Sequence, residues 1–292
     1  MSGASNTIKA KALDLLLFLF LYLVAYGVGY AGSFYIENIL LRLFVFDVVA
    51  TVAIYLLSLP VHNSSLYDAY WSLTPFVMAT YLLFVIPDLN VYHYIAYGVF
   101  SLWSWRLTVN WIITFGGRHW IDWRYRMFEE NNGPFMWQII NFFGIMMVPT
   151  LMVFSGFIPL VFAFQYSDLN AFSLIGCCLI LLGVALEFFA DHQMHDFLKK
   201  GEKGAVMSGG LWKYSRHPNY LGEILIWVGA YFILFPSDLG HWYLFGGIIV
   251  MLFLFNVISI PMAEKHQLGK RPAYREYIET THRLLLLPRK KK

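Results

Sequence analysis

Long apolar runs alternate with short polar segments from one end of the chain to the other. The runs cover residues 12–36, 39–59, 72–86, 91–115, 135–164, 169–190, 219–235 and 242–262. A helix needs roughly 20 mostly apolar residues to cross the hydrocarbon core of a bilayer. Backbone polar groups inside lipid must bond within their own segment, which a helix achieves. The pattern therefore predicts an all-α polytopic transmembrane helix bundle of about eight spans, one membrane domain over residues 1–292. Pro149 and Pro159 fall inside the fifth run and should kink it. The polar remainder is residues 61–71, 116–134, 191–218 and a tail from 263 to 292. The first run is too long, and lacks the small-residue cleavage site, for a cleavable signal peptide.

Composition agrees. The chain is 59% hydrophobic and 13% charged, whereas about a quarter of the residues of a soluble domain are charged. Cys177 and Cys178 are adjacent within an apolar run, so no disulfide framework is expected. The net charge of +3 matters less than where the charge falls. With a cytoplasmic N-terminus and eight spans, 19 of the 21 Lys and Arg residues fall on the cytoplasmic side. Arg42 and Arg106 lie within runs, so the opposite face receives none, as the positive-inside rule requires. Both termini are then cytoplasmic, and the sequon Asn63-Ser64-Ser65 is left on the side where it is not glycosylated.

Chemistry concentrates in Gly209-Gly210-Leu211-Trp212-Lys213-Tyr214-Ser215-Arg216-His217-Pro218-Asn219-Tyr220-Leu221-Gly222-Glu223. Arg216, His217, Asn219 and Tyr220 place four groups able to contact phosphate, ribose or a planar ring within five positions, just before an apolar run. Pro218 disfavours helix at His217. Arg42, Asp47, Arg106, Glu187 and Glu223 sit in or beside spans. A charge at a helix centre costs about 2.5–3.5 kcal/mol on insertion scales, so such groups pair or line polar cavities. For Arg42 and Asp47 mutual pairing or snorkelling is the expectation. Arg106 with Asn110 makes a polar stripe at helical spacing. Asp191, His192, His195 and Asp196 have the residue types of part of a metal site, but the other histidines are scattered singly, and a helix end emerging from the membrane is expected instead. Asp191 and the cluster Lys199, Lys200 and Lys203 could flank a cofactor pocket. Neither G-x-G-x-x-G nor a P-loop is present. A dinucleotide would be held by side chains, with arginine as the phosphate fork.

The segment Leu211-Trp212-x-Tyr214-Ser215-Arg216-His217-Pro218-Asn219-Tyr220-x-Gly222-Glu223 resembles the signature of the steroid 5-alpha-reductase-like membrane proteins and their sterol C-14 reductase relatives. Similar patterns occur at Trp71-Ser72-Leu73-x-Pro75, at Arg106 with Trp111, at Asp122-Trp123-Arg124-Tyr125 and at Glu187-x-x-Ala190-Asp191-x-Gln193. The C-terminal Pro261, Glu264, Tyr274, Tyr277 and Leu287-Pro288 also fit. The resemblance implies NADPH-dependent reduction of a carbon–carbon double bond in a hydrophobic enone, sterol or fatty-enoyl lipid, with a cofactor region over about 187–288. It implies that Arg216, His217, Asn219 and Tyr220 contact the cofactor, with Asp191, Glu264 and Tyr277 on its polar side; the scattered histidines predict no metal. The steroid enzymes polarise the substrate ketone with a glutamate and a tyrosine from early spans. No equivalent pair aligns here, and Tyr67, Asp68 and Tyr70 are the nearest candidates, Tyr70 and Tyr67 being taken as the proton donors.

A similar Arg-His-Pro-x-Tyr-x-Gly pattern occurs in membrane methyltransferases of the isoprenylcysteine and phospholipid type, where the pocket holds S-adenosylmethionine. A non-catalytic reductase-like subunit is a third alternative, because fold does not fix function. The tail Arg289-Lys290-Lys291-Lys292 is basic at the positions of an endoplasmic-reticulum retrieval signal, while a bacterial inner membrane gives the same charge pattern. Expected partners are a lipid or sterol substrate and membrane lipids, not nucleic acid.

Overall fold

The computed structural model describes residues 2–166, 168–201, 204–235 and 237–289, with side chains from residue 10 onward. Lys203 and Lys290 to Lys292 lie outside the described residues. Within them the regular structure is helical, apart from one isolated bridge between Ser215 and His282. The helices are α1 (Ser2–Ser33), α2 (Ile39–Val61), α3 (Tyr67–Val85), α4 (Val91–Thr114), α5 (Trp123–Glu130), α6 (Pro134–Tyr166), α7 (Leu174–Lys200), α8 (Pro218–Leu234), α9 (Leu239–Lys270) and α10 (Tyr274–Thr280). A helix stands at each of the eight apolar runs. Five of those described, α1, α2, α6, α7 and α9, are long and apolar enough to cross a membrane, and α8 is a shorter apolar helix. This fits an integral membrane protein.

Helix ends follow local chemistry. Asn38 caps α2 by accepting from Leu41 N at 2.9 Å, satisfying a donor that has no partner within the helix. Pro134 and Pro218 open α6 and α8 at a position where the missing N–H costs nothing. The apolar period ends at Ala190, yet α7 continues for almost three further turns to Lys200 and stops at Gly201 in the left-handed region (φ 67°). Polarity marks where a helix leaves apolar surroundings, not where it ends. Likewise α9 runs on to Lys270, and α5 forms inside the charged segment expected as a loop.

The expected proline kinks take a particular form. Residues Ile140–Met147 are π-helical just before Pro149, and Leu254–Ser259 are π-helical just before Pro261. A proline ring clashes with the carbonyl four residues earlier, and a π turn widens the helix there. Pro159 lies within regular α-helix.

The chain divides into two compact units. One comprises the chain up to Val85 together with Ser104–Ser155; the other comprises Ile86–Trp103 and the chain from Gly156. In the first, α1 and α2 pack closely, with Gly29 against the Phe46 carbonyl, 2.7 Å from where a Cβ would stand. Its core is aromatic: Phe18, Tyr22, Tyr67 and Tyr70 are buried, and Tyr26 stacks on Tyr70 at 5.6 Å. Arg42 does not pair with Asp47. Its guanidinium reaches the Ile36 carbonyl and the Tyr81 hydroxyl, while Asp47 faces Tyr70.

The second unit is built on the α7–α8 pair. Gly183 sits on the Gly222 carbonyl and Gly176 on the Gly229 carbonyl; added Cβ atoms would meet them at 2.6 and 2.4 Å. Each helix carries its two glycines seven residues apart, so the antiparallel pair meets at two levels of one seam. Close backbone approach through small residues is how helices associate where lipid is as apolar as leucine. Beside this seam, buried Glu223 accepts from the indoles of Trp103 (2.9 Å) and Trp227 (3.1 Å).

Candidate functional site

The segment between α7 and α8 is held at several points before it reaches the polar cluster. Gly210 adopts φ 55° against the Gln193 side chain, where a Cβ would collide. Gln193 Oε1 then accepts from Leu211 N at 2.9 Å, and Trp212 donates its indole N–H to the Ala190 carbonyl at 3.1 Å. The Tyr277 hydroxyl donates to the Trp212 carbonyl at 2.5 Å and lies 3.3 Å from that of Ser215. The residues after α10 run alongside, and Arg216 N donates to the His282 carbonyl at 2.8 Å.

This frame places Arg216 and His217 at the start of α8 against Glu264 of α9. Glu264 Oε1 accepts from Arg216 Nε at 2.7 Å and lies 3.1 Å from His217 Nε2. Arg216 Nη1 donates to the carbonyls of Ile278 (2.8 Å) and Thr281 (2.6 Å). Three of the guanidinium's five N–H groups are thus spent on the protein. The two on Nη2 have no partner among the described residues. All three side chains are buried, where opposite charges and charge-assisted hydrogen bonds are strong and costly to leave unpaired.

Burial holds His217 below the ordinary histidine range; Glu264 pulls it upward, while Arg216 and Arg283 push it down. A neutral ring donating Nε2–H to Glu264 keeps Nδ1 as an acceptor. The Tyr220 ring lies parallel to the imidazole, 5.3 Å away with planes 6° apart, and meets Phe255 on α9 at 5.0 Å. Asn219, between them in sequence, has an enclosed Oδ1 without a hydrogen-bond partner. Burial also raises the hydroxyls of Tyr274 and Tyr277, so both are neutral donors.

The structure thus brings together Arg216, His217, Tyr220 and Glu264, with Asn219 adjacent. Tyr277 stands behind the cluster and supports its backbone. Asp191 is half-buried on α7, two residues before Gln193. Tyr67 and Tyr70 lie in the first unit, on the first turn of α3, where a polar loop was expected. Tyr67 shares a hydrogen bond with Thr150 (2.8 Å), Thr150 with Thr51 (3.1 Å), and Thr51 with Tyr70 (3.3 Å), whose hydroxyl also lies 3.4 Å from Asp47 Oδ1. Sequence reasoning missed Thr51, Thr150 and the carbonyls of Ile278, Thr281 and His282. No residue type marks a backbone carbonyl as a ligand for arginine. The threonines stand in apolar runs where they read as filler.

A family model described as "Protein of unknown function (DUF1295)" matches residues 54–281. The chain belongs to the DUF1295 family. That family includes steroid 5-alpha-reductase-like proteins. This DUF1295 chain is 26% identical over 245 residues to an uncharacterized protein of Schizosaccharomyces pombe, a match covering 74% of this chain and 70% of that one. It is 30% identical over 95 residues to 3-oxo-5-alpha-steroid 4-dehydrogenase 1 of Rattus norvegicus, over 32% of this chain and 34% of the enzyme. The Mus musculus enzyme of the same name is 30% identical over 117 residues, 39% and 41% of the two chains. The chain thus spans well under half the length of the steroid dehydrogenases it matches. No solved structure matches it.

Proposed function

We propose that this protein is a membrane oxidoreductase that uses NADPH to reduce a carbon–carbon double bond in a hydrophobic enone, sterol or fatty-enoyl lipid. One observation carries the reading: the buried Arg216–Glu264–His217 cluster, followed two residues later in the chain by Asn219 with an enclosed, unpartnered Oδ1. The residues present fit the group. Arg216 and Arg283 both act on His217 against the single carboxylate of Glu264, which suits a polyanion. Asn219 offers an acceptor to an amide or amino N–H, and Tyr220 offers a flat ring.

When bound, such a cofactor supplies hydride to one carbon of an activated double bond. Arg216 and His217 hold phosphate or ribose, Asn219 and Tyr220 orient the cofactor, and Asp191 and Glu264 complete the polar side. Tyr277 keeps the loop in place. Tyr70 and Tyr67 are the proposed proton donors, each within the hydroxyl network that ends at Asp47. Distant similarity to steroid dehydrogenases supports a reductase. A topology of eight spans with cytoplasmic termini, in the endoplasmic reticulum, completes the proposal and follows the distribution of Lys and Arg.

S-adenosylmethionine carries a sulfonium cation, and the positive surroundings of His217 work against it. The test is Asn219→Ala. Removing an enclosed acceptor that has no partner costs the unliganded protein little, so its melting temperature stays within error. The affinity for NADPH falls about tenfold, equivalent to about 1.4 kcal/mol. Unchanged NADPH affinity in this variant would refute the assignment.

A further inference from the structure

The first unit contains a cavity of about 250 Å³ that the reading above does not use. It lies where α3 begins, α4 ends and the segment leading into α5 passes, and its lining includes Asp68, Asn110, Trp71, Trp111, Trp120 and Arg124. We propose that this cavity binds an organic ammonium group, the choline head of a zwitterionic phospholipid being the natural occupant.

Asp68 stands at the start of α3 on the cavity wall. Its carboxylate accepts from the Tyr125 hydroxyl at 2.6 Å. Donors on the carboxyl favour its ionised form. Arg124 binds Asp122 through Nε (2.8 Å) and Nη2 (3.2 Å) and also attracts the Asp68 carboxylate. The lining thus carries two carboxylates against one guanidinium, together with three tryptophans. Carboxylates and tryptophans lining one cavity are the residue types that recognise a quaternary or primary ammonium, by Coulomb attraction and by the negative faces of indole rings.

The remaining polar groups suit the rest of a headgroup. The carboxamide of Asn110, Arg124 Nη1 and the indole N–H groups of Trp71, Trp111 and Trp120 have no hydrogen-bond partner among the described residues. They can donate to a phosphodiester next to the ammonium. Tryptophans at the ends of apolar helices also sit at headgroup depth, and a pocket of this size takes a headgroup rather than a whole lipid.

The site has a signed pH dependence. Burial pushes the Asp68 carboxyl up to about 6, while Arg124 and Tyr125 pull it back. The nearby charges on α1 and after α4 are committed elsewhere: Lys11 to the Phe115 carbonyl and Asp14 to Arg118. Asp122 and Arg124 pair with each other on the α5 side. An ammonium therefore binds the ionised form and releases a proton below about pH 6. Affinity rises up to about tenfold per pH unit there and levels off above. A neutral carbonyl or hydroxyl ligand that needs a protonated Asp68 has the opposite dependence.

The experiment uses the full chain in detergent, titrated calorimetrically with choline and glycerophosphocholine. Native mass spectrometry in parallel compares phosphatidylcholine with phosphatidylglycerol. We expect selective binding of choline compounds, at least tenfold weaker in Asp68→Asn and in Trp111→Leu, and stronger above pH 6 than at pH 5. Asp68→Asn retains an acceptor for Tyr125, so its melting temperature reports folding separately. Capture of phosphatidylcholine but not free choline identifies the lipid as the source; equal capture shows that the ammonium suffices. Equal binding of both lipids, no loss in Asp68→Asn at an unchanged melting temperature, or affinity that falls with rising pH would each overturn the proposal.

Discussion

At the scale of residues, Arg216 shows how a motif can be legible while its mechanics are not. The sequence marks it as a phosphate-binding arginine at the mouth of an apolar run. In the fold it is buried, bound to Glu264 and to two carbonyls of the C-terminal segment. Only its Nη2 edge is open to a ligand. Arg216→Ala would leave Glu264 buried without its cation, a change that typically costs about 3–5 kcal/mol. We therefore expect a clear fall in the thermal midpoint in detergent without any ligand, and a smaller one for Arg216→Lys, which keeps the charge. An unaltered midpoint in Arg216→Ala would show that the cluster contributes nothing to the fold. Arg42 teaches the same lesson in reverse. Asp47, five positions on in sequence, is not its partner; a carbonyl and a tyrosine satisfy it, and neither is visible as a charge pattern.

At the scale of elements, apolar runs located all eight principal helices, because length and hydropathy are what lipid selects. Boundaries were less legible. The extension of α7 from Ala190 to Lys200 occurs among polar residues that stay helical in water or at a headgroup surface. The α7–α8 seam was not visible from hydropathy either, since glycine contributes little to it. Yet Gly176, Gly183, Gly222 and Gly229 set how closely the two backbones approach. A valine at Gly183 would meet the Gly222 carbonyl and cost about 1–3 kcal/mol through overpacking. Gly98→Ala on α4, where a Cβ meets nothing within 4 Å, should be neutral or slightly stabilising. Thermal unfolding of the two variants separates the effects. Equal midpoints for both would contradict the seam.

At the scale of the molecule, the five long apolar helices among the described residues fit an integral membrane protein, and the distant similarity to steroid dehydrogenases supports the reductase proposed above. What the sequence could not supply was the carbonyl frame behind Arg216 and the Asp68 cavity. Both arise from tertiary contacts among residues far apart in the chain. The proposed activity depends on what the Arg216–His217–Glu264 cluster binds. The measurement that tests it most directly is thermal unfolding of the purified protein during titration with NADPH, and with S-adenosylmethionine in parallel. A ligand that binds only the folded state raises its stability with concentration, by about 2.7 kcal/mol at one hundred times Kd. We expect a saturable rise with NADPH and none with S-adenosylmethionine. A rise with S-adenosylmethionine alone, or with neither, would contradict the reductase assignment.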